Sequence, residues 1–344
     1  MKRVFVGLSG GVDSSVAALL LKQQGYEVIG VYMKNWSQDL PGMKCPWEED
    51  YRDAKRVAVQ LDIDFKVYDF EKEYRHRVVD YMIREYKAGR TPNPDIMCNQ
   101  EVKFKLFLEA ALEDGADFIA TGHYAKMKNA KLMRARDDNK DQTYFLYRIS
   151  QKALSKVLFP LGDLTKQEVK EIAKKYDLVS AARKESMGIC FVGNVGIKDF
   201  LSQYVSEKAG KIIGQNGKVV GEHDGAAFYT IGQRHGLDVG GGLPHYVTGK
   251  DMKKNEVYVT TDLQDEKLWS KQIKLTDTHW LNEPAGKISV RTHHRAPLVP
   301  VKKIDMSNDL TAAVELEEEV RALTPGQSAV FYSGDKVLGG GIVV

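Results

Sequence analysis

The chain has 344 residues, is 43% hydrophobic and carries a formal net charge of +3, enough length for two or three domains with their own cores and too little charge to demonstrate a nucleic-acid partner. No stretch approaches the roughly 20 apolar residues of a membrane span, and Lys2 and Arg3 lead into VFVGL rather than a signal-peptide run. Cys45, Cys98 and Cys190 are odd in number and far apart, which argues against a secreted disulfide framework and against a C-x-x-C zinc site, so a cytoplasmic chain with no membrane partner and no dedicated metal ligands is expected.

KRVFVGL reads as a strand, a helix over about 13–24 is closed by Gly25, and YEVIGVYM is apolar and β-branched, which together make a βαβ unit. A helix over about 51–60, the strand DFKVYDF, an amphipathic helix over about 74–87, a helix after Asn99 and the strand DFIATGHY continue the alternation. This pattern predicts an α/β domain whose parallel sheet is covered on both faces. Two irregular segments, 34–49 and 89–95, interrupt it, and such loops are where sites tend to lie. Helical segments return between Asp141 and Tyr176, and after Gly210 the texture turns to short strands and glycine-rich turns, including Gly240, Gly241 and Gly242. From Leu268 the runs KQIKL, GKISVRT, VPVKKID, AAVELE, SAVFYSG and LGGGIVV suit an antiparallel barrel or sandwich. The expected domains are 1–205, 206–267 and 268–344.

Ser9-Gly10-Gly11-Val12-Asp13-Ser14-Ser15 sits between the first strand and the first helix, where backbone N–H groups and a helix N-terminus make an anion site. It lacks the Walker lysine and the G-x-G-x-x-G fingerprint, so a nucleotide would be held differently. The bland alternative is a tight turn with Asp13 or Ser14 as N-cap. Cys98 follows the Pro92-Asn93-Pro94-Asp95 turn and precedes a helix expected near Asn99, a position that favours a thiolate. Cys190, flanked by Gly188, Ile189 and Phe191, suits either a buried structural cysteine or a reactive one. As a pair the two thiols make chemical sense, one carrying a persulfide and the other resolving it as a disulfide. Cys45 reads as structural or incidental, and a cluster held by all three thiolates is the remaining alternative.

SGGVDSS resembles the signature of the ATP-pyrophosphatase, or PP-loop, enzymes, which implies an adenine-nucleotide α-hydrolase-like first domain and cleavage of ATP between its α and β phosphates. With YKAGRTPNPDIMCN, FIATGHYAK, NKDQTYFLY, GICFVG, YTIGQRHGL and TPGQSAVFYSG following in order, the chain resembles the tRNA-specific 2-thiouridylase family nearly end to end. That resemblance implies ATP, with Mg2+, on Gly7, Leu8, Ser9, Gly10, Gly11, Val12, Asp13 and Ser14, on Met33 and on Gly122. It implies the target base at Asn93, Pro94 and Asp95, with Cys98 as nucleophile and Cys190 as persulfide carrier. Contacts to tRNA are implied at His123, Lys140, Asp141, Gln142, His294, Arg295 and Gln327. The sequence departs from the family pattern at Met187, where threonine is common, and at Thr292-His293-His294-Arg295, which replaces a more aromatic and arginine-rich stretch.

The uracil C2 oxygen is a poor leaving group, so the implied reaction activates it as an adenylate before sulfur from Cys190 replaces it at the anticodon wobble position. Asp95 beside the base suits a general acid or base, or alternatively an Asx-type turn. The base must be flipped out of its loop, and the six Lys or Arg against two Asp over 126–140 suit phosphates, although a solvated hairpin explains them too. Expected partners are tRNA acceptors for Lys, Glu and Gln and a persulfide donor such as a cysteine desulfurase or sulfur-relay protein. The rivals are a PP-loop enzyme using ammonia or an amine, which needs neither thiol, and a non-catalytic tRNA-binding protein.

Overall fold

Val4, Phe5 and Val6 build the first strand, β1 (Arg3–Gly7), which is apolar on both faces, as a strand covered on both sides must be. Phe5 packs with Ile29 and Val31 in one core, whereas Val4 and Val6 pack with Val28 in the other, following the period of two. In the computed structural model, which describes residues 1–39, 45–183, 197–205, 208–240, 242–308 and 310–344, the chain then forms β2 (Glu27–Lys34), β3 (Asp64–Asp69), β4 (Phe118–Ala120), a hairpin of β5 (Lys126–Lys128) and β6 (Lys131–Met133), and β7 (Val157–Leu158). Parallel pairing gives the sheet order β3-β2-β1-β4-β7. The order reverses between β1 and β4, and a crevice at the carboxyl ends of such strands is where ligands of open α/β sheets bind.

Helix α1 (Val12–Gln23) follows β1 and stops at Gly25, whose φ of +83° gives the left-handed close of a helix. Helix α2 (Trp47–Gln60) buries Ala54, Val57 and Ala58 and places Glu48, Glu49 and Asp50 in its first turn, where the helix dipole favours them. The next helical run, 71–87, passes through a π-helical stretch at Arg75–Val79. A second run, 94–113, does so at Cys98–Leu106. This second run starts five residues before the expected helix at Asn99, because the Asn93 side chain accepts from Asp95 N (3.1 Å) and Ile96 N (3.4 Å) and caps it. The expected strand DFIATGHY is only Phe118–Ala120, since the chain beyond it runs against the start of α1.

β8 (Gly210–Ile213), β9 (Val219–His223), β10 (Tyr246–Asp251) and β11 (Glu256–Thr260) form a four-stranded sheet in the order β10-β11-β8-β9 around Ile212, Tyr229, Val247, Val257 and Val259. The C-terminal strands are β12 (Trp269–Trp280), β13 (Ser289–Arg291), β14 (Val299–Asn308), β15 (Thr311–Arg321), β16 (Ser328–Ser333) and β17 (Lys336–Val343). They pair antiparallel in the order β12-β15-β14-β13-β16-β17, and β17 returns to β12 to close a six-stranded barrel. In β16, Ala329 and Phe331 fill the barrel while Val330 and Tyr332 point outward into the core of the first module. That double burial explains an apolar run without polar alternation. The hairpin β5–β6 joins the barrel sheet through Met133 opposite Lys336.

Candidate active site

The loop between β1 and α1 is organised by its own serines. Ser14 Oγ accepts from Ser9 N (3.2 Å) and donates to the Gly11 carbonyl (3.1 Å), and Ser15 Oγ donates to the same carbonyl (2.8 Å). Gly10 has φ +75°, a left-handed turn that suits glycine. Gly11 is the N-cap of α1 and has no side chain to cap it with, so the positive end of this helix faces the loop. Neither Asp13 nor Ser14 takes the capping role that a plain turn would give them. Asp13 instead accepts from Lys166 Nζ (2.7 and 2.8 Å) and from the Tyr124 hydroxyl (2.9 Å), which ties α1 to the helix Lys166–Lys175 and to the segment after β4.

Gly122 lies against this helix start: a Cβ there would sit 2.7 Å from Ser14 N. On the other flank a Cβ on Gly7 would sit 2.9 Å from Met33 Cε. The carboxyl ends of β1, β2 and β4 thus bring Gly7, Leu8, Ser9, Gly10, Gly11, Val12, Asp13, Ser14, Met33 and Gly122 to one rim. Arg183 was not among the residues singled out from sequence. It pairs with Asp53 (3.0 Å) and Asp50 of α2, and its Nη1 lies 3.5 Å from the Ser9 carbonyl, over the loop. Burial pushes the Asp50 carboxyl up against the opposing pull of Arg183. Partners so far apart in the chain leave no local signal in sequence.

Cys98 is 1% exposed and lies in the second turn of the helix that Asn93 caps and Pro94 opens, rather than ahead of it. The Asx-type turn weighed for Asp95 belongs to Asn93, and Asp95 sits half-buried in the first turn. From Cys98 the π-helical stretch, a departure from α geometry frequent at functional sites, leads to Phe104, whose ring lies 5.5 Å from that of His123. His123 is buried beside Gly122, with Nδ1 2.8 Å from Thr121 Oγ1. Desolvation and then the Lys103 charge hold its pKa well below the usual imidazole value, so it is neutral. The Cys98 helix is thereby packed against the strand end that flanks the loop between β1 and α1. Cys190 and Met187 lie outside the described residues. Cys45 has Sγ 3.7 Å from the Trp36 carbonyl, and burial pushes its thiol up, away from the thiolate.

The remaining candidates fall around the junction of the hairpin and the barrel. Asp141 is 1% exposed and accepts from Thr143 Oγ1 (2.9 and 3.0 Å), Ala135 N (3.2 Å) and Arg291 Nη1 (3.1 Å). Gln142 and Tyr124 exchange hydrogen bonds, Tyr124 N to Gln142 Oε1 at 2.9 Å and Gln142 N to the Tyr124 carbonyl at 3.0 Å. Lys140 is half-buried beside them. The His294 ring lies 4.5 Å from that of Phe145, and burial, reinforced by Arg295 and Arg291, lowers its pKa to about 4. Arg295 is exposed at φ +64° and donates to the Asn139 carbonyl (3.0 Å). Gln327 donates to the Thr91 and Pro92 carbonyls (2.8 and 3.4 Å). Of the hairpin cations, Lys126 pairs with Asp163, Arg134 with Asp138, Asp141 and Asp335, and Arg136 with Glu168, while Lys128 and Lys131 stand exposed at the tip.

Three family models match in succession. They are described as a tRNA methyl transferase HUP domain over residues 2–194, a tRNA methyl transferase PRC-barrel domain over 198–261 and an aminomethyltransferase β-barrel domain over 270–343. An NMN synthetase from Francisella tularensis covers 54% of this chain and 66% of its own at 18% identity, with a TM-score of 0.34 that is too low to bear on function. Relatives named tRNA-specific 2-thiouridylase MnmA are far nearer. Those of Bacillus velezensis and Listeria monocytogenes are each 49% identical, and that of Bacillus subtilis 48%, over 99% of this chain and 94% of theirs. With nearly half of its residues identical from end to end, and with the α/β module, small β module and closed barrel in succession, the chain belongs to the tRNA-specific 2-thiouridylase family.

Proposed function

We propose that this protein replaces the C2 oxygen of a tRNA uridine with sulfur, at the anticodon wobble position, after activating that oxygen with ATP. One observation carries the reading: the helix that bears Cys98 is packed, through Phe104, His123 and Gly122, against a helix N-terminus that opens on Gly10 and Gly11. The relatives' names support tRNA as substrate, the proposed acceptors are those for Lys, Glu and Gln, and a tRNA substrate implies work in the cytoplasm. Among the described residues no helix is long and apolar enough to cross a membrane.

The residues fit a nucleotide. The N–H groups at the start of α1 and the left-handed turn at Gly10 would hold phosphates, and the rim at Gly7, Met33 and Gly122 would border the rest. ATP, bound with Mg2+, supplies an AMP leaving group on uridine O2 and releases pyrophosphate. The N–H groups then face the charge that gathers on the phosphate. The outer sulfur of a Cys190 persulfide, loaded by a cysteine desulfurase or sulfur-relay protein, attacks C2, and AMP leaves with the former O2. The Cys98 thiolate attacks the inner Cys190 sulfur, C2 keeps the outer sulfur as a thiocarbonyl, and an external reductant returns two electrons to the resulting Cys98–Cys190 disulfide. Asp95, in the first turn of the Cys98 helix, serves proton transfer at the base, which enters flipped from its loop.

The test is incubation of unmodified tRNA with the protein, Mg-ATP and a persulfide-loaded desulfurase, with 2-thiouridine, AMP and pyrophosphate measured together. Thiouridine is expected from the wild type with ATP and from neither Cys98→Ser nor Cys190→Ser. Product from a double Cys→Ser variant would overturn the thiol roles, and cleavage of ATP without thiouridine would hand the activated site to another acceptor.

A further inference from the structure

We propose that Gln327 is a positioning residue for Cys98, acting through the backbone at Thr91 and Pro92, which the barrel and the four-stranded module grip from two sides. The inference rests on the reading of Cys98 as the reacting thiol and extends it to residues of the other two modules.

The barrel side holds both polar groups of the Thr91 backbone. Thr91 N donates to the Pro325 carbonyl at 2.9 Å, and the Thr91 carbonyl accepts from Gln327 Nε2 at 2.8 Å, which also reaches the Pro92 carbonyl at 3.4 Å. Between them Gly326 adopts φ +94°, and a Cβ there would lie 2.8 Å from Thr91 N and 2.9 Å from its carbonyl carbon and oxygen, so only glycine permits this approach. Gln327 is itself fixed, its N–H donating to the Thr324 carbonyl (3.1 Å) and its carbonyl accepting from Val343 N (2.9 Å) on β17. From the other module, Thr230 Oγ1 lies 3.1 Å from Thr91 Oγ1, and a Cβ on Gly89 would lie 2.5 Å from Met252 Cγ.

The residues after Thr91 transmit its position. Pro92 and Pro94 have fixed φ and restrict the residue before each, so a shift at Thr91 passes on rather than being absorbed. It arrives at Asn93, whose side chain caps the helix, and Cys98 stands one turn further on. An amide side chain has two donor hydrogens, and the two carbonyls of this loop engage them both, which leaves Gln327 little to offer a tRNA as donor.

Two variants of the full chain separate positioning from tRNA contact. Gln327→Met keeps the side-chain bulk and loses both donors. Gly326→Ala adds no group able to reach tRNA and drives a methyl into Thr91. On the free protein we expect both to speed amide hydrogen exchange across residues 91–98 and to change the alkylation rate of Cys98, read on its own peptide, by about tenfold. In single-turnover thiolation at saturating tRNA the rate should fall about tenfold or more while the tRNA dissociation constant stays within about twofold. A tRNA affinity that falls for Gln327→Met with exchange and alkylation unchanged would make Gln327 a tRNA contact and overturn the proposal, as would unchanged rates in both variants. If the wild type makes no thiouridine, the reading of the reaction fails, and the exchange and alkylation measurements still decide the clamp.

Discussion

His294 shows how a residue's chemistry is set by what surrounds it. Its ring packs on Phe145, its Nδ1 is buried without a hydrogen-bond partner among the described residues, and Arg295, Arg291 and Lys140 face it along with the opposing charge of Asp141. All but the last disfavour imidazolium, and the folded pKa drops to about 4 from 6.5. The unfolded chain therefore takes up a proton between those values that the folded chain refuses, so stability is unaffected above about pH 6.5 and falls as pH falls through this window. Urea midpoints at pH 7 and pH 5 should differ more for the wild type than for His294→Gln. Equal differences would mean that the ring titrates normally. The site glycines make the same point. Gly122 is required because Ser14 N comes within 2.7 Å of its absent Cβ, a reason no local sequence window contains.

Among the elements, the β5–β6 hairpin and the residues after it divide their charges between solvent and the barrel junction. Its turn, Asn129 and Ala130, has φ of +51° and +57°, the mirror-image geometry that a two-residue hairpin prefers. Six cations over 126–140 suit either a grip on phosphates or a solvated hairpin, and of them Arg134 is paired with Asp141 and Asp335 and Arg136 with Glu168. Asp141 is the centre of this junction, since its carboxylate meets Arg134 at 3.5 Å and the buried Arg291 at 3.1 Å. Asp141→Asn would leave Arg291 buried without its counter-charge, and we expect a loss of about 3–5 kcal/mol in urea unfolding, the range for breaking a buried pair from one side. A loss below about 1 kcal/mol would show that water reaches Arg291.

For the whole molecule, a net charge of +3 leaves tRNA binding to local patches. Lys128 and Lys131, exposed at the hairpin tip, are the clearest patch in that segment. Replacing both with alanine should make the logarithmic salt dependence of tRNA affinity shallower by about 1.5, two phosphate contacts' worth. An unchanged slope would assign the tip to solvent. The outward residues of β16, Val330 and Tyr332, share one core with Phe5, Val31 and Phe107. Barrel and α/β module are therefore packed as one body, which lets residues of the barrel set the backbone at Thr91.

The sequence by itself determined the parallel α/β module, the barrel strands and the glycine-rich turn between β1 and α1, because apolar runs bounded by turn residues and glycines between strand and helix are local in the chain and need no partner to be legible. It also singled out Cys98, though not the start of its helix, which the Asn93 side chain moves forward to Pro94. Only the tertiary structure decided that Arg183 lies over the loop between β1 and α1, that Asp141 is a buried counter-ion and that Gln327 holds the Thr91 and Pro92 carbonyls. Each of these is a contact between residues 150 or more positions apart, made by one or two hydrogen bonds, and no periodicity along the chain encodes such a meeting.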